Sequence, residues 1–165
     1  MKGNIYISGT PGTGKTSLAQ YIILKNPSYK ILELTTFIND KNLVEGFDEE
    51  RNCQIYDPIV VAETLEEYLS DKENIILCAA PLEILPERFS LIVILICMKP
   101  TILRERLVAR KYSETKVEEN IDAELIGEIQ GLMESFYPES AKIIQDTCSK
   151  SLEECGEEIA HFFSH

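Results

Sequence analysis

Apolar residues fall along this chain in two alternating rhythms. Short continuous runs rich in β-branched and aromatic residues occupy 4–8, 30–34, 74–78, 91–97 and 142–147, the length of strands. Between them, apolar residues return every three or four positions. Residues 16–24 place Leu18, Ala19, Ile22 and Ile23 on one helical face, and the stretch after Asp57-Pro58 does the same with Val61, Leu65, Tyr68 and Leu69. Asp57 suits the N-cap of that helix and Pro58 its first turn. A further helix is predicted over 101–110, carrying Arg104, Arg106 and Arg110 beside Leu103 and Leu107. After a polar break at 111–116, Val117, Ile121, Leu125, Ile129, Leu132 and Phe136 keep helical spacing and predict one long helix over 117–136. The last helix, 152–163, buries Leu152, Cys155, Ile159 and Phe162 or Phe163. Residues 35–56 read as polar and irregular, with a weak helix over 37–43 and an acidic turn over 45–50.

The runs at 74–78 and 91–97 do not alternate with polar residues, as expected where helices cover both faces of a parallel sheet. Strands alternating with helices predict an α/β three-layer fold: one domain over 1–165, a five-stranded parallel sheet, and right-handed crossovers. Ligands of such sheets bind at the carboxyl ends of the strands. The loops after Ser8, Leu34, Cys78 and Cys97 should therefore surround one cleft.

The first strand-to-helix junction carries the chemistry. Gly9-Thr10-Pro11-Gly12-Thr13-Gly14-Lys15-Thr16 matches G-x-x-x-x-G-K-[ST] between a predicted strand and a predicted helix. Such a loop turns successive N–H groups into one concavity at the positive end of a helix, where polyphosphate is stabilised. Gly9, Gly12 and Gly14 permit the tight path, with Thr13 and Ser17 in the same cradle. Lys15 reaches the outer phosphates, and the Thr16 hydroxyl is placed to hold Mg²⁺.

Composition narrows the field. Hydrophobic content of 44% and charged content of 27% are those of a globular protein. The run 91–98 is far too short to span a bilayer, and the amino-terminal residues enter a strand with no signal-peptide pattern. A net charge of −12 disfavours broad nucleic-acid binding and is compatible with a basic protein partner. The five cysteines, without C-x-x-C spacing, read as reduced thiols of an intracellular protein. Guanine-specific GTPases carry N-K-x-D after a late strand, whereas Gln145-Asp146-Thr147-Cys148 stands here. The insertion at 35–56 and the arginine-bearing segment 104–116 lie where small nucleotide kinases carry their acceptor and donor lids.

These segments resemble the adenylate kinase isoenzyme 6 family. The loop is similar to that family's G-T-P-G-x-G-K-T, Glu45-Gly46-Phe47-Asp48-Glu49-Glu50 with Cys53 to its acceptor segment, and Pro86-Glu87-Arg88-Phe89 to its P-E-R-W/F motif. Leu103-Arg104-Glu105-Arg106-Leu107, Arg110-Lys111-Tyr112 and Glu119-Asn120-Ile121 resemble its lid entry and following helix. The resemblance implies a monomeric nucleoside-monophosphate kinase with an acceptor insertion over about 35–56 and a lid over about 108–118. It implies ATP and Mg²⁺ as cofactors, AMP as acceptor, and ATP hydrolysis. It also implies small ribosomal subunit maturation through a basic ribosomal protein, in cytoplasm and nucleus. Lys15, Arg110 and Arg88 are then the catalytic candidates: Arg110, with Arg106 as a further candidate, closes over the donor, and Arg88 takes the acceptor phosphate. Lys150 matches an adenine-side position, and Asp48-Glu49-Glu50 is either an exposed turn or part of the site.

Two departures from the family pattern stand out. Its Asp-x-His after the third strand is replaced by Cys78-Ala79-Ala80, so Thr16 and the phosphates hold the metal alone or Glu83 or Asp57 substitutes. An acceptor-side arginine is replaced by Asn39, with Lys41 nearby. Losses of this kind typically cost about 10–100-fold in metal affinity or activity. They leave open a nucleotide-binding assembly factor with little kinase chemistry, or a kinase for another small acceptor.

Overall fold

The computed structural model describes residues 2–164. β1 (Ile5–Gly9) and α1 (Lys15–Lys25) flank the glycine loop, and β2 (Lys30–Glu33) runs directly into α2 (Leu34–Asp40). A small antiparallel hairpin, β3 (Gly46–Asp48) with β4 (Cys53–Ile55), precedes α3 (Pro58–Leu69). Then follow β5 (Ile75–Cys78), β6 (Leu91–Ile96), α4 (Pro100–Ala109), α5 (Glu114–Leu125), α6 (Glu128–Phe136), β7 (Lys142–Asp146) and α7 (Leu152–Phe162). The main sheet runs β2-β5-β1-β6-β7, five strands and every pairing parallel, as the uninterrupted apolar runs predict.

Alternation along each strand feeds two cores. Tyr6, Leu77, Ile92 and Ile94 point to one face, where Phe37 and Ile38 of α2, Leu65 of α3 and Met133 of α6 cover them. Ile5, Ile7, Ile76, Val93 and Leu95 point to the other and meet Leu18, Ala19 and Ile22 of α1 and Cys155 and Ile159 of α7. At the amino edge, buried Asn4 pins three strands together: its amide donates to Lys72 O (3.0 Å) and Arg88 O (3.1 Å), and its oxygen accepts from Ile75 N (2.9 Å). The N-cap at Asp57 and first-turn Pro58 of α3 form as expected, with Asp57 accepting from Ile59 N at 2.8 Å.

Three expectations are corrected. The predicted helix over 117–136 is two helices, because Gly127 takes a left-handed φ of 68° and turns the chain between α5 and α6. Apolar spacing survives this break, so it could not reveal it. α5 instead packs Val117 and Ile121 on Leu103 and Leu107 of α4, leaving Leu125 and Ile126 exposed. The segment 35–56 is more ordered than its polarity suggests: its helix starts early, at Leu34, and the acidic turn is partly the hairpin strand β3. Hairpin strands of three residues, none of them buried, leave no alternation to read. Finally, Cys97 and Cys148 form a disulfide rather than standing as thiols, while Cys53, Cys78 and Cys155 are free. The pair is 51 residues apart in sequence, and the adjacency of β6 and β7 sets their Cα atoms 5.3 Å apart.

Candidate functional site

The loop owes its path to what surrounds it. A Cβ on Gly9 would lie 2.5 Å from the Leu95 carbonyl and 2.7 Å from Thr13 Oγ1, so only glycine lets β1 turn beside β6. Thr13 closes the loop by donating from its N–H (3.2 Å) and its hydroxyl (2.7 Å) to Thr10 O. Gly14, at a φ of 96°, begins α1, and no side chain caps that helix. Its first-turn N–H groups therefore face outward as an anion cradle. Lys15 Nζ donates to Gly9 O (2.7 Å) and Thr10 O (3.3 Å). Burial beneath the loop lowers its ammonium from the usual 10.5 to about 8; Arg110 adds to the fall, while Cys78, Glu33 and Glu124 oppose it.

Beside the cradle lies a cavity of about 620 Å³. Gly12, Thr13, Gly14, Ser17, Arg106, Arg110 and Lys150 all line it, joined by Thr147, Leu152 and Cys155. Arg106 is a strut: its guanidinium donates to Gly12 O (3.2 Å), Thr147 O (3.0 Å) and Thr147 Oγ1 (3.2 Å), tying the loop to the end of β7. Arg110 ends α4 exposed at the cavity rim, with no hydrogen bond or ion pair to its guanidinium among the described residues. Lys150 pairs with Glu158 Oε2 at 2.5 Å, which raises its pKa. Sequence reasoning missed Glu124. Its carboxylate accepts from the Thr10 hydroxyl (2.5 Å) and Cys97 N (2.6 Å), bracing the loop from α5. A lone glutamate in a helix rich in acids carries no signal of that task.

The Thr16 hydroxyl donates to Glu33 Oε1 at 2.7 Å. Hydroxyl and carboxylate are hard oxygen donors, so the residues present fit Mg²⁺ held largely by phosphate and water. Among the described residues no group of three or more acidic, His or Cys side chains gathers for a metal. The two carboxylates named from sequence lie elsewhere: Asp57 caps α3, and Glu83 lines a separate cavity of about 590 Å³ beside Pro58 and Phe136. Cys78 is buried, and that burial pushes its thiol up to about 12, so it stays neutral. The loop after it is fixed by buried tyrosines: Tyr6 donates to Ala80 O (2.5 Å) and accepts from Leu82 N (3.0 Å), and Tyr137 donates to Leu82 O (2.7 Å).

The segment expected to take the acceptor is less complete. Asn39 is tied within its own segment, donating to Thr35 O and accepting from Gln54 Nε2, both at 2.8 Å. Lys41 lies over the Phe37 and Tyr68 rings, 5.9 and 5.8 Å from their centroids. At the hairpin tip, Arg51 bonds Asp48 and, across to α5, Glu119, each at 3.2 Å. Arg88 does not join the site. It immediately precedes Phe89, Ser90 and the start of β6, and it lines a cavity with Gly3, Ser70, Lys72 and Ser90 at the amino edge of the sheet. The glycine loop leaves the opposite edge, about 16 Å away along a five-residue β1. The expectation of an acceptor-phosphate arginine there counted position after a strand, while the nine residues between Cys78 and Arg88 return the chain to the sheet's other end.

Comparison with known proteins agrees with this arrangement. A family model described as an AAA domain matches residues 5–127. The adenylate kinase isoenzyme 6 homolog FAP7 of Saccharomyces cerevisiae is 36% identical over 137 residues, covering 82% of this chain and 68% of the yeast protein. The Caenorhabditis elegans homolog of the same isoenzyme is 32% identical over 159 residues, covering 94% of this chain and 86% of the relative. The chain belongs to the adenylate kinase isoenzyme 6 family. Among solved structures, shikimate kinase from Acinetobacter baumannii in complex with shikimate superposes with a TM-score of 0.65 at 16% identity, over 98% of this chain and 92% of that one. Shikimate kinase from Bacteroides thetaiotaomicron gives 0.64 over the whole of both chains, at 16% identity. The fold is that of phosphate-loop kinases. Membership makes this protein a nucleotide-binding, kinase-type member of an adenylate kinase family. No helix among the described residues is long and apolar enough to cross a membrane.

Proposed function

We propose that this protein is a nucleoside-monophosphate kinase that moves the terminal phosphoryl group of ATP to AMP or a similar monophosphate and also hydrolyses ATP. The observation that carries the reading is the cavity continuous with the phosphate loop, rimmed by Arg106, Arg110 and Lys150. The loop amides and Lys15 bind the outer phosphates, and Arg110, with no hydrogen bond or ion pair among the described residues, closes over charge that develops on the transferring group. Bound Mg²⁺ supplies charge neutralisation of the phosphates; Thr16 and Glu33 are the residues here that would hold it. Family membership and a charge of −12 support a role in small-subunit ribosome maturation through a basic ribosomal protein, as a monomer acting in cytoplasm and nucleus. Steady-state ADP formation with ATP and a panel of monophosphates, run beside ATP alone, tests the reading. Stimulation by AMP is expected, and titration calorimetry without heat from any adenine nucleotide overturns it.

A second reading is favoured by the acceptor side, where Lys41 and Arg51 are engaged and Cys78-Ala79-Ala80 offers neither acid nor base. Under it the protein binds nucleotide as an assembly factor with little transfer. AMP that leaves ADP formation unchanged from ATP alone selects this reading over the first.

A further inference from the structure

Glu33 and Cys78 end neighbouring strands at the carboxyl edge of the sheet and are paired in register. Residues so paired in parallel strands present their side chains to the same face, about 4.8 Å apart. Both positions therefore open toward the start of α1. The Thr16 hydroxyl donates to Glu33 Oε1 at 2.7 Å, and Cys78 Sγ lies 3.8 Å from Lys15 O. No other carboxylate bonds that hydroxyl among the described residues. Two carboxylates at these neighbouring seats would repel one another without a cation between them. This chain has a carboxylate in one seat and a neutral, buried thiol in the other. Thiols are also poor partners for Mg²⁺, which takes hard oxygen ligands.

We infer that Glu33, with the Thr16 hydroxyl, holds the divalent cation of a bound nucleotide, and that position 78 is an equivalent seat left without its acid. Glu33 thus supplies, from β2, the charge that Cys78 on β5 lacks. The effect falls on the cation first: the loop amides and Lys15 grip the phosphates, and the Glu33 carboxylate is only one of several groups that support the Lys15 ammonium. The inference rests on the proposed nucleotide site.

The experiment is a Mn²⁺ titration of the intact protein with ADP, followed by electron paramagnetic resonance, beside calorimetry of ADP without metal. Glu33→Gln keeps the size of the side chain and removes its charge. We expect it to bind metal-free ADP within about twofold of the unaltered protein while Mn²⁺ affinity in the ternary complex falls about 10–100-fold. Moving the acid across the register, in Glu33→Gln/Cys78→Asp, should restore at least tenfold of that loss. Unchanged Mn²⁺ affinity in Glu33→Gln overturns the assignment, and a double variant no better than the single overturns the equivalence of the two seats. If Glu33→Gln loses metal-free ADP binding as well, Glu33 is a support of the loop and the metal role fails. Failure of the unaltered protein to bind ADP is a different result, which removes the nucleotide reading and this one together.

Discussion

The proposed donor and acceptor sides of the cleft are built in different ways. On the donor side, contacts come from backbone N–H groups of one rigid junction, and the cationic side chains are either struts, as Arg106 is, or poised at the rim, as Arg110 is. On the acceptor side, a short helix and a hairpin of three-residue strands carry the polar groups, among which Asn39 bonds Gln54 and Asp48 bonds Arg51. A site made of main chain survives drift in side chains, because any residue that keeps the backbone path keeps the donors. A site made of side chains loses a ligand with each substitution. By that argument the nucleotide-gripping half depends on the backbone path its glycines set, whereas the other half depends on individual side chains such as Asn39, which is tied to Thr35 O and Gln54 Nε2.

The largest way to break the contrast is at its one indispensable donor-side side chain. Lys15→Ala should lower ADP formation by about 100–1,000-fold, the cost of deleting a donor aimed at developing charge. An unchanged rate would reject the site. Gly9→Ala should act on folding instead, lowering stability by about 3 kcal/mol in chemical denaturation, since its Cβ meets the Leu95 carbonyl at 2.5 Å. Gly14→Ala, with nothing within 4 Å of the added carbon, should cost markedly less.

Asn39→Arg sharpens the comparison from the other side. A guanidinium at this position adds one charge-assisted contact, so KM for AMP should fall about tenfold with KM for ATP unchanged. Equal changes in both constants would show that the two halves are not separable. One pH dependence belongs to the donor side. Because burial has lowered Lys15 to about 8, raising the pH through that value strips its proton from the free protein, and binding polyphosphate must restore it. Nucleotide affinity should fall by up to about tenfold per pH unit above 8 in that range, with proton uptake visible as a buffer-dependent heat. The same shift works oppositely on folding: between about 8 and the unfolded 10.5, the unfolded chain binds more protons, so stability of the free protein from this group rises with pH. The smallest effect is expected from Arg51→Ala. Its pairs with Asp48 and Glu119 are exposed, and losing them should change KM for AMP by less than about twofold.

Much of the architecture was legible without coordinates. Uninterrupted apolar runs fixed parallel strands buried on both faces, and the strand–glycine–helix junction located the phosphate cradle, since both depend on neighbours in sequence. Gly12, Thr13, Gly14, Ser17, Arg106, Arg110 and Lys150 line one cavity. Local pattern does not report on chain direction after a turn or on which strands become neighbours. Gly127 broke a helix whose apolar spacing continued across it. Arg88 returned to the amino edge, and Cys97 found Cys148 only because β6 and β7 lie side by side. Glu33 and Glu124 are ordinary acids in sequence. They acquire a role through hydrogen bonds to Thr16 and Thr10, from positions 17 and 114 residues away, and such distances are closed only when the sheet and its helices pack.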